Sequence, residues 1–391
     1  MLAAQWTEAI RDIYKQKGGG EPISTSVIKA TGTKLALGVD EGFGEVDYDS
    51  PDYAMREYLK RNTWKFSVAK NYNDCTRLSN LLVRPDGSLR PWNEFKKEAL
   101  FVVGESNRYL KTEYDTAVAG AQMSRLWQEI QRDKHIFPFA QFDVVRDGRT
   151  SDICAPLDGV ICTVDDPRLS YFFPPNHFNC RTTVRRLRRG VPTTTSAWEE
   201  MEIPEAFKNN VGETGEIFTK ENKYIAETPK KILQAGEDFG FEVSESEKLA
   251  NPQYQNTDHP RVQVSKWADK NELQRNLEIA KIVADADNAV IKIRPHVKLD
   301  NVSNAEYDYD GALADRKAPE GLNLKNTLRK AQKQNSKVVV FDLENNAFRP
   351  EAFIEALTKR LSIKDIYPMI EKVVVVTKQR QTYIIRRKKQ L

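Results

Sequence analysis

The sequence predicts an α+β protein built from two separate domains, and three observations lead to that prediction. A length of 391 residues exceeds one typical domain. Apolar residues recur at helical spacing in the first third of the chain, and short β-like runs follow from Phe137. Helices and strands alternate again near the end. We therefore expect a helical region with a small α+β module over 1–190, a linker over 191–258 and a second small α+β domain over 259–391.

The first expected domain begins with helices. A short amphipathic helix over 1–20 ends at a run of three glycines. After a turn-rich passage, helical patterns run from Tyr53 to Val68 and from Trp92 to about Gln131. From Phe137 the sequence pattern changes to short runs that are separated by turn residues and are typical of strands. These runs are FAQFDVV, GVICTVDD, SYFF and TTVRRL.

The expected linker is polar, with scattered proline and glycine and weak periodicity over 191–258. Beyond it a helix over Asn271–Asp285 precedes the strand AVIKI and a hairpin whose turn is Asp310-Gly311. A helix (NLKNTLRKAQKQ), a strand (KVVVFDL), a helix (RPEAFIEALTKRL) and two strands (KVVVVT, QTYIIRR) follow. The predicted order is α-β-β-β-α-β-α-β-β.

The composition limits the class of protein. Hydrophobic residues make up 40% and charged residues 30%, which suits a chain that buries real cores without entering a membrane. No apolar run approaches the roughly 20 residues that a bilayer span needs. The N-terminus has mixed polarity and does not resemble a secretory signal, so we expect folding in a bacterial cytoplasm. Four cysteines are too few for a disulfide scaffold of this length.

Charge is unevenly placed on a chain whose net charge is only +4. One basic cluster occupies nine positions and contains Arg181, Arg185, Arg186, Arg188 and Arg189. A second runs from Arg386 to Lys389. Such clusters predict contact with phosphate or nucleic acid, and a solvated basic face is the alternative.

The segment from Lys111 to Arg189 carries several rare motifs in a fixed order. They are KTEYDTAVAGAQMSRLW, RDGRTSDICAPLDG, VDDP and FFPPNHFNCRTTV. The segment resembles the Mu F-like head morphogenesis domain of phage minor capsid proteins, in which T-E-x-x-x-A precedes R-x-S-D-x-C-x-x-L-D-G and P-P-x-H-x-x-C-R. One departure is Thr182, where many relatives have a second cysteine.

That resemblance implies a role in virion assembly. It implies portal and capsid proteins as partners, and location first in the host cytoplasm and then in the virion. The arginines that follow Cys180 fit contact with packaged DNA, because phosphate binding needs cations and no base readout.

A zinc site is one interpretation of the same motifs. His177 and Cys180 form a close ligand-type pair, and Cys154 with Cys162 would complete a tetrahedral set. The alternative is that the cysteines are small buried hydrophobes and that His177 caps a turn.

The stretch from about Asn271 to Leu391 contains the segments RNLEIA, NAEYDYDGALADRKAP, LKNTLRKAQKQ and VVVFDL, followed by the final strands. With these segments it resembles toxin nuclease domains of the barnase-EndoU-colicin-RelE-like group, and in particular the tRNase-like domains of contact-dependent inhibition toxins. The resemblance implies a polymorphic-toxin effector that cleaves RNA without a cofactor, and an immunity protein as a further partner.

A metal-free ribonuclease needs an acid or base and cations around the scissile phosphate. Asp315 and Lys317 lie two apart on an expected strand and share a face. Lys330 and Gln334 lie four apart on the next helix, as a phosphate clamp and an orienting group. Arg386 is a further candidate, and His296 is a weaker one for general base work. A surface ion pair is the alternative for Asp315 and Lys317.

Two other interpretations stay open for the C-terminal domain. An acidic residue (Glu306, Asp308 or Asp310) followed by Asp315-x-Lys317 also resembles the hairpin of D…(D/E)xK nucleases. There two carboxylates hold Mg²⁺ and the lysine supports the attacking water. Alternatively, the domain is an inactive binding module of a purely structural virion protein.

Overall fold

The computed structural model describes residues 2–17, 19–20, 22–46, 50–194, 201–300, 302–319, 321–322, 324–344, 349–363 and 366–387. Two compact units divide the chain, Met1–Phe241 and Glu242–Leu391. Both contain helices and a sheet, which confirms the predicted α+β class. Each unit has its own buried apolar clusters.

Long helices dominate the first unit. They are α1 (Ala3–Lys15), α2 (Thr25–Phe43), α3 (Pro51–Asn80) and α4 (Trp92–Asp133). Their apolar faces form one core that includes Leu35, Leu59 and Phe95. The start of α3 is fixed locally, because Ser50 caps it by accepting a hydrogen bond from the Asp52 amide at 3.2 Å. Helix α4 continues through Gly104 without a break, in agreement with the helical pattern predicted from Trp92 to about Gln131.

Helix α2 was not predicted, because its segment contains glycines and threonines that are typical of turns. The structure gives those glycines a packing role. A Cβ atom on Gly32 would lie 2.2 Å from the Trp64 ring, and one on Gly42 would lie 2.1 Å from the Val118 carbonyl oxygen. The glycines therefore let α2 approach its neighbours closely, which local propensity cannot indicate.

A small antiparallel sheet follows the helices. Its strands are β1 (Phe139–Asp143), β2 (Ile161–Thr163) and β3 (Thr183–Leu187), in the order β2-β1-β3. The run SYFF, predicted as a strand, instead overlaps the end of the short helix α5 (Pro167–Tyr171). Asp166 caps α5 and Pro167 starts it, and both features favour a helical turn over an extended strand.

The predicted linker differs most from the structure. Its described residues from 201 to 241 belong to the first unit and contain α6 (Val211–Thr214), α7 (Lys223–Ala226) and most of α8 (Lys230–Ala250). Asn62, buried in α3, accepts hydrogen bonds from the Ile217 and Phe218 amides at 2.9 and 2.8 Å and donates to the Phe218 carbonyl at 2.9 Å. Backbone amide and carbonyl groups of this segment thus find hydrogen-bond partners on a helix that is distant in sequence. Such contacts can order a segment that has no periodic apolar pattern of its own.

The second unit is built on one mixed sheet of eight strands. Its order is β11-β10-β9-β8-β7-β6-β5-β4. In chain order the strands are β4 (Tyr254–Asn256), β5 (Val262–Ser265), β6 (Ile291–Ile293), β7 (Tyr307–Tyr309), β8 (Ala312–Lys317), β9 (Val338–Asp342), β10 (Lys372–Val376) and β11 (Thr382–Arg386). The predicted strands from AVIKI onward are present in the predicted order, and β4 and β5 are additional.

Three helices cover the two faces of this sheet. They are α9 (Lys270–Asp287), α10 (Leu324–Lys333) and α11 (Pro350–Leu361). One core joins α9 to Tyr307, Val340 and Val374, and the other joins α10 and α11 to Val339 and Val373. Strands β8, β9 and β10 are parallel and are linked through α10 and α11. Ligands of such units usually bind at the carboxyl ends of the parallel strands.

Candidate functional site

The β7–β8 hairpin sets two carboxyl groups against each other. Its turn residues Asp310 and Gly311 both have positive φ, at 49° and 83°, as a two-residue hairpin turn requires. The register pairs Tyr309 with Ala312 and Tyr307 with Ala314. One step further this register places Glu306 opposite Asp315 on the same face of the sheet. The turn could have indicated this pairing from sequence, although the prediction left three acidic candidates open.

Asp315 is a fully buried carboxylate with one cationic partner. Its exposed fraction is 0%, and among the described residues neither of its oxygens accepts a well-formed hydrogen bond. Lys317 lies two residues on, and its Nζ is 2.6 Å from Asp315 Oδ2. Lys317 also donates to Gln334 Oε1 at 3.3 Å, which ties the pair to the end of α10. The structure therefore brings together Asp315, Lys317 and Gln334.

Glu306 completes the group and is half-buried beside Asp315. Its Oε2 accepts a hydrogen bond from the Arg316 amide at 2.9 Å. Burial, together with the neighbouring Asp315 carboxylate, raises the pKa of Glu306 to about 8. Two carboxyl groups and one lysine thus share a poorly solvated space, so a proton or a cation must balance the second negative charge.

Two predicted site residues are not tied to this group. Lys330 is exposed on α10, and within the described residues its ammonium forms no hydrogen bond or ion pair with Asp315, Lys317 or Gln334. In the pairing of β11 with β10, Arg386 lies opposite Lys372. Lys372 is two residues from Val374 and so shares its face of the sheet, and Val374 belongs to the core that packs against α9. Arg386 therefore lies on the opposite face of the sheet from Asp315 and forms an ion pair with Asp287. Because successive side chains of a strand point to opposite faces of the sheet, Arg386 and Asp315 cannot reach the same site. Lys388 and Lys389, in the same basic run, lie outside the described residues.

The other acidic and histidine candidates have local structural partners. Asp308 accepts a hydrogen bond from the Gly311 amide at 2.7 Å, and Asp310 accepts one from the Val290 amide at 2.8 Å. Both carboxylates therefore fix the hairpin turn. His296 Nδ1 lies 3.9 Å from Asp269 Oδ2, and among the residues described it forms no hydrogen bond or ion pair with Glu306 or Asp315. Glu306 is the acidic residue that the structure places at the site.

An ionic network on the α9 face was missed by sequence reasoning. Arg316 donates to Asn276 at 2.6 Å and forms ion pairs with Glu272 at 2.8 Å and Asp342 at 3.1 Å. Arg275 also pairs with Asp342. Asp342 ends β9, so the network joins α9 to the carboxyl ends of β8 and β9. The sequence indicated this network only weakly. Arg316 lies between Asp315 and Lys317, and alternation along the strand is the one feature that places its side chain on the other face of the sheet.

In the first unit, three of the four predicted metal ligands come together. The ligand atoms of Cys154, His177 and Cys180 all lie within 4.8 Å of one another. A hydrogen bond from Cys154, assisted by His177, lowers the pKa of the Cys180 thiol to about 4. Cys162 is not part of this group; it is buried in β2, where burial raises the pKa of its thiol to about 12.

The arginine cluster of β3 is largely paired within the protein. Arg181 forms two hydrogen bonds to Asp147 at 2.6 and 2.7 Å. Arg185 lies 3.3 Å from Asp143, and Arg186 lies 2.6 Å from Asp133 and 3.4 Å from Glu129. The guanidinium of Arg188 is 5.3 Å from the centre of the Phe137 ring, and Arg189 is exposed. Internal carboxylates therefore offset much of the positive charge that predicted a nucleic-acid surface.

These features define a helical scaffold with a small sheet module, followed by a unit whose strand ends carry two carboxyl groups and a lysine. Residues 82–185 match the family described as Phage Mu protein F like protein. The matched segment contains the T-E-x-x-x-A, S-D-x-C and H-x-x-C-R motifs. This match supports the head-protein part of the sequence interpretation and covers about a quarter of the chain.

Two further comparisons concern the whole chain. A search of curated proteins finds no match. Among solved structures the chain is similar to the CdiA-CT/CdiI toxin and immunity complex from Burkholderia pseudomallei, with 20% identity and a TM-score of 0.25. The similarity covers 33% of this chain and 98% of that one. The toxin-nuclease resemblance of the second unit stays a prediction. In the described part of the chain, no helix combines the length and apolarity of a membrane span.

Proposed function

We propose that the protein is a phage head-related protein whose second unit hydrolyses phosphodiester bonds in nucleic acid with the help of a divalent cation. The single observation that carries the nuclease proposal is the pairing of Glu306 with Asp315 beside Lys317. Of the nuclease interpretations that the sequence left open, this arrangement favours the D…(D/E)xK one. The metal-free ribonuclease needed Lys330 as a phosphate clamp, and among the described residues no hydrogen bond or ion pair ties Lys330 to Asp315 or Lys317.

The donor set suits a hard cation. Carboxylate oxygens are the ligands that Mg²⁺ prefers, and Mg²⁺ usually takes one or two of them together with substrate phosphates. Because burial and the neighbouring Asp315 carboxylate raise the pKa of Glu306, a cation bound between the two carboxyl groups would take the place of the proton that Glu306 holds there. Held by Glu306 and Asp315, Mg²⁺ would supply Lewis-acid activation of a phosphate and of its attacking water.

The protein's own side chains would do the rest. Lys317 carries a compact positive charge that can donate to a phosphate oxygen or hold a water molecule for attack. Gln334 accepts a hydrogen bond from Lys317 and so restricts where that ammonium group points. The position of the pair near the carboxyl end of β8 is where ligands of parallel units bind.

For the first unit, we propose portal and capsid proteins as partners and the virion as the final location, on the strength of the matched segment. An immunity protein is proposed only together with nuclease activity, because a producer then needs protection. The arginines of β3 are a poorer candidate for DNA contact than their number suggests, since three of the five are already paired with carboxylates.

A cleavage assay on the full chain tests the nuclease proposal. Labelled tRNA, single-stranded RNA and duplex DNA are incubated with Mg²⁺ or with EDTA, using wild type, Asp315→Asn and Lys330→Ala. We expect Mg²⁺-dependent cleavage that Asp315→Asn abolishes and Lys330→Ala retains. Cleavage of RNA that resists EDTA would favour the metal-free ribonuclease instead. If no substrate is cleaved and the protein is harmless when expressed at high level, the result would favour the interpretation of the second unit as an inactive binding module.

A further inference from the structure

The S-D-x-C and H-x-x-C-R motifs meet in a compact group of soft ligands. Cys154 precedes the 3-10 turn Ala155–Leu157, and His177 and Cys180 lie in the loop between α5 and β3. The two sulfur atoms are 3.6 Å apart, and Cys154 Sγ is 3.2 Å from His177 Nε2. Two thiols and an imidazole from segments more than 20 residues apart in sequence therefore meet here.

These separations match the edges of a zinc tetrahedron. With Zn–S bonds of about 2.3 Å and Zn–N bonds of about 2.0–2.1 Å, the sulfur–sulfur edge is about 3.8 Å and the sulfur–nitrogen edge about 3.5 Å. A disulfide is the other outcome for two close cysteines, but its sulfurs lie about 2.05 Å apart. A disulfide would also give His177 no role.

The imidazole is already oriented as a metal ligand. His177 Nδ1 lies 2.8 Å from the Phe178 carbonyl oxygen, to which it can donate its proton. That hydrogen bond leaves Nε2 unprotonated, and Nε2 is the atom that faces Cys154. Metal-binding histidines usually have a partner of this kind for their other nitrogen, because it fixes both the tautomer and the ring orientation.

A fourth position is available beside the three ligands. A small crevice lined by Thr150, Ser151, Asn179 and Thr182 opens onto Cys154 and His177. The Thr182 side chain is buried in the lining of this crevice. Ser151 Oγ is 2.8 Å from His177 Nε2 and also accepts the Cys154 amide, so it is engaged with the turn.

We propose that Cys154, His177 and Cys180 bind one zinc ion, with water in the fourth position. The ion ties the 145–157 turn to the loop that leads into β3 and so stabilises the small sheet module. Cys162, which the sequence included in the set, is not a ligand. The proposal is independent of the nuclease activity, because all three ligands lie in the first unit.

Metal content of the purified full chain tests the ligand set. After loading with Zn²⁺ under reducing conditions and dialysis, we expect about one zinc per chain by mass spectrometry. Cys154→Ser, His177→Ala and Cys180→Ser should each hold less than a tenth of that amount. Cys162→Ser is the matched control, since it removes a buried thiol of the same sheet module, and it should keep the metal. Ser151→Ala should also keep it.

Wild type alone decides the matter if the ligand variants fail to fold. Loaded with Co²⁺, it should show the visible bands of a tetrahedral site together with sulfur-to-cobalt charge-transfer absorption, and Zn²⁺ should bleach them. Reduced protein that binds neither ion, metal lost from Cys162→Ser as fully as from Cys180→Ser, or metal lost from Ser151→Ala would overturn the assignment.

Discussion

Two regions of the molecule each place one lysine with two carboxyl groups in a poorly solvated space. In the helical core Lys70 donates to both oxygens of Glu113 and to the Ser106 carbonyl, with Asp74 close by. In the second unit Lys317 pairs with Asp315 beside Glu306. Burial raises the pKa of Glu113 and of Asp74, and it raises that of Glu306 too.

The difference lies in access and in hydrogen bonding. The helical group is closed, because Lys70, Glu113 and Asp74 are each at most 4% exposed, and Ser106 donates to Asp74 at 2.6 Å. The group on the sheet lies near strand ends, where Glu306 and Lys317 are partly exposed. The same charges serve structure when they are sealed from solvent. They serve as a candidate site when a substrate can reach them.

The largest expected effect separates the two groups by stability. Lys70→Met leaves buried carboxyl groups without a cation, so we expect the free energy of unfolding to fall by about 3–5 kcal/mol. Lys65→Met is the control, because Lys65 is on the same helix and pairs with Glu237 at a partly exposed position. There the loss should be below about 1 kcal/mol. Denaturant unfolding of the full chain measures both, and equal losses would remove the distinction.

The matching substitution in the second unit should act on activity. Lys317→Met removes the ammonium beside Asp315, and we expect cleavage to slow by about 100-fold or more, as for other positioned acid–base and charge-stabilising groups. Because Asp315 is fully buried, Lys317→Met should also lower the free energy of unfolding, so the rates are compared under conditions in which both proteins are folded. Single-turnover rates with circular dichroism as a folding check decide this. An active Lys317→Met variant would place the chemistry elsewhere.

Stability should also depend on pH through Glu306. Its pKa is raised from 4.5 to about 8, so between these values the folded state holds a proton that the unfolded state has lost. The free energy of unfolding of the second unit should therefore fall as pH rises through this window. Hydrogen exchange of amides in β7 and β8 measures the effect. Glu306→Gln should flatten the slope, and an unchanged slope in that variant would contradict the assignment.

The smallest effects on the cleavage rate are expected at two residues that the sequence placed in the site and that the structure does not tie to it. Arg386→Ala removes an ion pair with Asp287 on the opposite face of the sheet. Lys330→Ala removes an exposed cation. Each should change the cleavage rate less than about 2-fold, because among the described residues neither group forms a hydrogen bond or ion pair with the carboxyl pair. A larger loss in either variant would restore the convergent site that the sequence predicted.

Local patterns predicted much of the second unit and of the candidate site. Alternation along β8 correctly placed Asp315 and Lys317 on one face, and the Asp310-Gly311 turn was recognised as a hairpin. Arg386 could not be placed, because its face depends on the pairing of β11 with β10. Lys330 and Gln334 share a helix face, yet only Gln334 reaches Lys317.

Long-range contacts account for what the sequence did not predict in the first unit. The segment taken as a linker is held in place by long-range contacts such as those of Asn62, which lies about 155 residues away in the chain. Helix α2 depends on close contacts of Gly32 and Gly42 with other helices. Neither contact leaves a periodic signal in its own segment, so propensity and spacing cannot reveal it.

The most direct test of the central claim is to look for the cation itself. Crystals of the full chain grown with Mn²⁺ would be measured at the manganese absorption edge, because Mn²⁺ accepts the same oxygen ligands as Mg²⁺. We predict an anomalous peak bonded to carboxylate oxygens of both Glu306 and Asp315 that is absent from Asp315→Asn crystals. A crystal saturated with Mn²⁺ that shows no anomalous peak between Glu306 and Asp315, and in which Lys317 is still the one cation paired with Asp315, would contradict the account.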